Sequence, residues 1–411
     1  MELLNSKELK PSLNCDVEIH KVSENEFILH QKRLNHQIRL NNFSYQLISI
    51  IDGNKSIEML SKEISETIQQ PISKDVVYEL LYENLFKKGI IDNNPEAQTR
   101  NTSNYLTLKF VLIPKKIVLI ASSWFRFMFI GANYFKWTIV FLSIVLLSNT
   151  VFYFNSIMSA KTELAINEMT IVCVFLFGFL SCLIHEIGHA SALKYYGRNA
   201  GDIGVGFYLF SPVFYCDVSE AWFINKNSRV VVNLGGIYFE LIIAFILIVI
   251  SHLTQFKILN WLSFAILLRT ILNLNPFLRR DGYWILADLT NMPNLQNDSL
   301  RHIRAIFLRL VNKTTEKISF NPFLFIYGLL SFSFIIFFLL FMVILDPSSL
   351  LNFPVKFWSI LSSVTISNLS FKLLIDLLKT FGLPILFYYL LFKFLFGLVS
   401  SRLSKTPRAR T

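Results

Sequence analysis

Six stretches of this chain stay apolar for about the twenty residues that a helix needs to cross the hydrocarbon core of a bilayer. They are residues 134–154, 168–190, 230–251, 258–276, 322–345 and 380–399. A backbone in lipid must satisfy its own hydrogen bonds, so runs of this length fold as helices. The composition agrees. Only 16% of the 411 residues are charged and 40 are Phe, whereas soluble domains average about 25% charged residues. The expected fold class is a polytopic α-helical membrane protein of about six transmembrane helices, preceded by a small N-terminal α+β winged-helix-like domain.

The formal net charge is +11. In such a chain the excess sets orientation, and it is not read as a nucleic-acid footprint. Lys194 and Arg198 follow the second run, and Arg279, Arg280, Arg301, Arg304, Arg309 and Lys313 follow the fourth. Arg402, Lys405, Arg408 and Arg410 end the chain. With six spans these fall on one side, which places the N-terminal domain and the C-terminus in the cytoplasm of a multi-pass membrane protein. Segment 155–167 and the loop "DPSSLLNFP" then lie outside. The polar start "MELLNSKELK" lacks the pattern of a cleavable signal peptide. Cys15, Cys173, Cys182 and Cys216 form no CxxC pair, so no disulfide framework is expected.

Residues 1–100 read as a separate cytosolic domain and linker, with 101–411 membrane-embedded. "DVEIHKV" and "EFILHQ" alternate apolar and polar residues around the turn "SENE", which predicts a hairpin, and "HQIRL" adds a third strand. Asn42, Ser56 and Ser73 are the expected caps of three helices, the last closed by Gly89. "NNPEAQTRNTSN" is a polar linker. "FVLIPKKIVLIASSWFRFMFIGANYF" is broken by a proline and basic residues, so it suits an interfacial helix better than a span.

Within the second run stands "HEIGH": His185, Glu186 and His189. Positions four apart share a helix face at about 6 Å, so both imidazoles can reach one metal ion. Glu186 projects about 100° further round, where it can take a proton from water instead of binding the metal. Zinc suits such ligands and keeps one position open at catalytic sites. That chemistry hydrolyses a peptide bond. A polar group near the bilayer centre costs on the order of 2–3 kcal/mol, so three together argue for function. A third protein ligand is needed. "ILNLNPFLRRDGYWILADL" offers Asp281, because Asn275-Pro276 breaks the helix and Asp281-Gly282 makes a turn. Asp288 and Asp217 are the competing carboxylates. Cys182, one turn before His185, is assigned to core packing. His252 and His302 read as loop residues.

His185-Glu186-x-x-His189 in an apolar run, followed later by Asn-Pro and Asp-Gly, resembles the site-2 protease family of intramembrane zinc metalloproteases. "GVGFYLFSPVFYCDVSEAW" and "NLNPFLRRDGYWILADLTNMPNL" are similar to its bacterial peptide zinc metalloprotease branch. The resemblance covers most of 105–400. It implies that His185, His189 and Asp281 bind one Zn2+ and that Glu186 is the general base. The chain departs from the family where "GGIYFE" replaces a Gly-Pro-x-x-Asn element, and no PDZ-like domain is visible in the sequence. In that segment Glu240 lies at a depth similar to Arg269, roughly 10–15 Å from the cytoplasmic surface at 1.5 Å per residue. They are expected to pair; alternatively Glu240 faces the site as support for a ligand. Asn275 is a further candidate for support.

"IRLNNFSYQLISIIDGNKSIEMLSKEISE" with the closing "KKGIID" resembles the PqqD-like domains that recognise precursor peptides. The resemblance implies that a leader peptide adds a strand to this domain's sheet. The expected partners are thus the lipid bilayer, a peptide or transmembrane-peptide substrate and a leader peptide, with no nucleic acid. The function read from the sequence is an intramembrane zinc metalloendopeptidase that matures a ribosomally made, modified peptide, bacteriocin-like or signalling. Two other readings stay open: regulated intramembrane proteolysis of a transmembrane regulator or signal-peptide remnant, and a non-catalytic membrane immunity or export component.

Overall fold

The computed structural model describes residues 9–23, 26–33, 36–92, 106–155, 168–208, 211–310, 320–345, 347–363, 384–385, 387–389 and 391–392. The polar linker, all but the first residue of the 155–167 segment, Lys313, the C-terminal basic cluster and most of the 380–399 run lie outside these residues. Two compact units divide the chain: Met1–Gly206 with Phe214–Ile271, and Phe207–Val213 with Leu272–Thr411.

The first unit opens with an antiparallel sheet, β1 (Val17–Ser23), β2 (Glu26–Gln31) and β3 (His36–Leu40), in that spatial order. Its alternation puts Phe27, Leu29 and Leu40 into one core with Leu47, Leu60 and Leu81. Those last three come from α1 (Asn42–Ser49), α2 (Ile57–Ile68) and the helical run that begins with α3 (Lys74–Tyr78). That run continues through a π turn, Glu79–Leu85, to Gly89, whose φ of 67° is the left-handed conformation glycine adopts at little cost. Ser56 and Ser73 cap α2 and α3 by accepting from Met59 N and Val76 N. The cap of α1 is Asn41, not Asn42: Asn41 is extended and its side chain accepts from Ser44 N, while Asn42 already belongs to the helix.

The sheet meets a short turn, Ser219–Phe223. His20 and His30 lie 4.4 and 5.2 Å from the Phe223 ring, and the Arg39 guanidinium lies over Trp222. Arg198 covers Phe223. Burial first, and the Arg198 charge second, push the His20 imidazole below its ordinary value, against the opposing pull of Glu18. A depressed histidine favours the folded form above the ordinary value of about 6.5, and that contribution is lost as pH falls below it. The thermal midpoint of the full chain is expected to fall between pH 7 and pH 5, and His20→Gln is expected to flatten that limb. Melting curves at half-unit steps check this; identical slopes for the two proteins would refute it.

Four helices among the described residues are long and apolar enough to cross a membrane, at Tyr134–Phe152, Val174–Tyr195, Lys226–Thr254 and Pro322–Phe341. They belong to α5 (Ala132–Phe152), α6 (Glu168–Tyr195), α7 (Lys226–Thr254) and α11 (Pro322–Leu345). The stretch 258–276 folds as α8 (Lys257–Asn273). Its 17 residues span about 26 Å, short of a core about 30 Å thick. The segment read as an interfacial helix has two parts. A strand, β4 (Thr107–Ile113), runs into α4 (Lys115–Phe125), whose first amide donates to Asp202 Oδ1. β4 joins a second three-stranded sheet with β5 (Ile203–Tyr208) and β6 (Ser211–Cys216). Neither this sheet nor its hairpin was expected, because its strands are as apolar as the spans around them and lack a clean alternation.

α6 and α7 pack backbone to backbone. A Cβ on Gly188 would strike the Gly235 carbonyl, and one on Gly235 would lie 2.6 Å from the Gly188 carbonyl oxygen. Small residues at such a crossing let two helices in lipid approach closely.

The second unit contains α9 (Asp281–Leu289), α10 (Leu295–Leu310), α11, α12 (Pro347–Leu351) and α13 (Phe353–Ser363). Tyr283 and Ala287 of α9 are buried with Leu295 and Tyr327.

Candidate metal centre

His185 and Glu186 are neighbours on α6 with His189 one turn on, and all three are buried, at 6%, 7% and 7% exposure. Helical spacing puts the two imidazoles on one face, with their Nε2 atoms 3.0 Å apart. His189 Nδ1 lies 2.8 Å from the Val232 carbonyl oxygen of α7, so this nitrogen carries the proton and donates it. Nε2 of His189 is thereby left with its lone pair. His185 Nδ1 lies 3.0 Å from Glu240 Oε1.

Gly236 of α7 faces this pair. A Cβ there would sit 2.5 Å from His185 Nε2 and 2.6 Å from His189 Nε2. The missing side chain leaves a cradle in front of both nitrogens. Two nitrogens bound tetrahedrally at 2.0–2.1 Å stand about 3.3 Å apart, close to the separation found. The residues present therefore fit a zinc-sized cation. Gly236 was quoted in the sequence only as a departure from a family pattern; no local signal marks it as the wall of a metal pocket.

Glu240 is 1% exposed and bonded on both oxygens. Arg269 Nε donates to Oε1 at 2.8 Å and the Thr270 hydroxyl donates to Oε2 at 2.6 Å. Arg269 also donates to Ser181 Oγ at 2.7 Å and reaches Cys182 Sγ at 3.0 Å. Thr270, Ser181 and this use of Cys182 were not foreseen. Ser181 and Cys182 stand one turn before His185 in the sequence, but that Arg269 reaches them shows only once the helices are packed.

In the second unit, Asp281 is the first residue of α9, after an extended Arg280. The preceding turn is tightly strapped. Asn275 Oδ1 accepts from Phe277 N at 2.9 Å, an Asx turn that the following proline favours. Tyr327 donates its hydroxyl to the Pro276 carbonyl at 2.9 Å, and Arg280 Nη1 donates to Asn273 Oδ1 at 2.8 Å. A Cβ on Gly282 would collide with the Leu274 backbone, so only glycine lets α9 start this close to the incoming chain. Asn275 thus shapes the turn before Asp281. Of the competing carboxylates, Asp217 Oδ1 is engaged by the Ser219 amide and hydroxyl in a local turn. His185 and His189 belong to the first unit, and Asp281 and Asp288 to the second. His252 and His302, read as loop residues, lie in α7 and α10.

Over 244 residues the chain is 25% identical to a protein of Bacillus subtilis (strain 168) named "Putative peptide zinc metalloprotease protein YydH". The match covers 58% of this chain and 90% of that protein. No family model matches the chain, and no solved structure does.

Proposed function

We propose that this chain is an intramembrane zinc metalloendopeptidase in which His185, His189 and Asp281 hold one Zn2+ and Glu186 is the general base. The observation that carries the reading is the pair of buried imidazoles with facing Nε2 atoms 3.0 Å apart, in front of a glycine that leaves room for an ion. The donor set supports it: two nitrogens and a carboxylate leave a tetrahedral ion one open position. The name of the Bacillus subtilis relative supports the same chemistry.

Zinc, once bound, acts as a Lewis acid that polarises a carbonyl and makes water acidic enough to be deprotonated near neutral pH. The chain's own residues do the rest. Glu186 accepts the proton of the attacking water on a carboxylate oxygen and returns it to the leaving amine nitrogen. His189 keeps its proton on Nδ1, held by the Val232 carbonyl, so its other nitrogen stays a ligand. Burial of all three side chains limits competing water.

The substrate is proposed to be a ribosomally made, modified peptide that matures by this cleavage, in or beside a bacterial cell membrane. Residues 1–100 form the PqqD-like module that binds its leader, and 101–411 carry about six spans with both termini in the cytoplasm. β1 and β3 are the edge strands of the small sheet, and an edge strand is where a peptide can add.

Purified full-length protein is expected to carry about one zinc per chain, to lose peptide cleavage on chelation and to regain it when zinc returns. His189→Ala is expected to abolish both binding and cleavage. Wild-type protein that holds no divalent ion yet cleaves peptide through chelation would overturn the proposal.

A further inference from the structure

The carboxylate of Glu240 is a costly group to bury inside apolar helices. Such a charge is retained only where its partners compensate it. Arg269 supplies the countercharge, but an Arg–Glu pair could satisfy itself at many points along α7 and α8. Here it is built where Oε1 also meets His185 Nδ1 at 3.0 Å. That nitrogen is on the side of the ring away from His189. The carboxylate is held in turn by Thr270 at 2.6 Å, and Arg269 is tied to α6 through Ser181. One polar chain thus runs from α8 through α7 to the imidazole, with a second strut to the turn of α6 just before it.

We infer that Glu240, held by Arg269 and Thr270, is the positioning residue of His185: its carboxylate oxygen beside Nδ1 keeps the proton on that nitrogen, fixes the tautomer that leaves Nε2 as a ligand, and strengthens that ligand. A histidine ligand backed by a carboxylate is a firmer donor than one backed by a carbonyl. The two imidazoles are therefore unequal, since His189 leans on the Val232 carbonyl. This inference rests on the zinc reading above.

The test uses full-length protein in detergent, with zinc affinity measured by chelator competition and the coordination read from the visible spectrum of the cobalt(II)-substituted protein. Glu240→Gln is expected to weaken zinc binding by about 10–100-fold and to shift the cobalt bands. The double variant Glu240→Gln with Arg269→Gln leaves no buried cation alone, and it is expected to show the same loss with a near-normal melting midpoint. A role confined to helix packing would move the melting midpoint but not the cobalt spectrum. Should neither protein fold, Thr270→Val decides: it keeps the carboxylate, removes one of its donors, and is expected to weaken zinc by about 2–10-fold with altered cobalt bands. Wild-type protein without zinc defeats the metal reading itself. Wild-type binding, with every folded variant within about twofold of it and an unchanged spectrum, defeats the positioning role alone.

Discussion

Glu186→Gln is expected to leave zinc at wild-type stoichiometry while lowering peptide cleavage by about 10²–10⁴-fold. The substitution is nearly isosteric and leaves both imidazoles on their helix face. It replaces a carboxylate, which can take a proton from water, with an amide, which cannot. Because Glu186 is 7% exposed, no solvent-borne buffer of ordinary size can stand in for it. Metal analysis and a peptide-cleavage assay on the same preparation check the prediction. Cleavage at the wild-type rate by protein with one zinc per chain would remove Glu186 from the chemistry and return weight to a binding role for the helical region.

Gly236→Ala is the second large effect. Alanine raises intrinsic helix stability by about 1 kcal/mol over glycine in a helix interior, so α7 itself should not suffer. The new methyl would stand 2.5 and 2.6 Å from the two Nε2 atoms, well inside van der Waals contact. The imidazoles must rotate or the helices must part. Displacing reacting groups by about 1 Å can cost about 10²-fold. The expected outcome is loss of zinc binding and at least that loss of cleavage, with helical content unchanged. Gly178→Ala is the control, since a Cβ there meets nothing within 4 Å. If Gly236→Ala binds zinc as the wild type does, the cradle is not where the ion sits. If Gly178→Ala fails equally, general helix damage explains both.

Much of the local architecture could be read from the residues in order. The i, i+4 spacing of His185 and His189 belongs to any helix, and the apolar run around them made that helix certain. Capping by Ser56 and Ser73 rests on a side chain and an amide three residues apart, again a local matter. Where two neighbours could serve equally, as at Asn41 and Asn42, the alternation of backbone conformation made the choice, and only coordinates reveal it. The second sheet was missed for a different reason. "TLKFVLI" alternates polar and apolar only over its first four residues, and in a chain this apolar a strand and a short helical run look alike.

Residue identity and spacing by themselves determined that several helices are long and apolar enough to cross a membrane, that two imidazoles share one face, and that Glu240 and Arg269 both fall inside apolar helical runs. Those follow from a rise of 1.5 Å and a turn of 3.6 residues, which every helix obeys. Only the packing of α6 against α7 and α8 decided that Gly236 opens onto the imidazoles, that the Val232 carbonyl accepts a hydrogen bond from His189, and that Glu240 reaches His185 as well as Arg269. The reason is that these contacts join residues far apart in the chain. Their geometry depends on how closely two helix backbones approach, and that distance is set by side chains that are absent, at Gly188 and Gly235, as much as by those that are present.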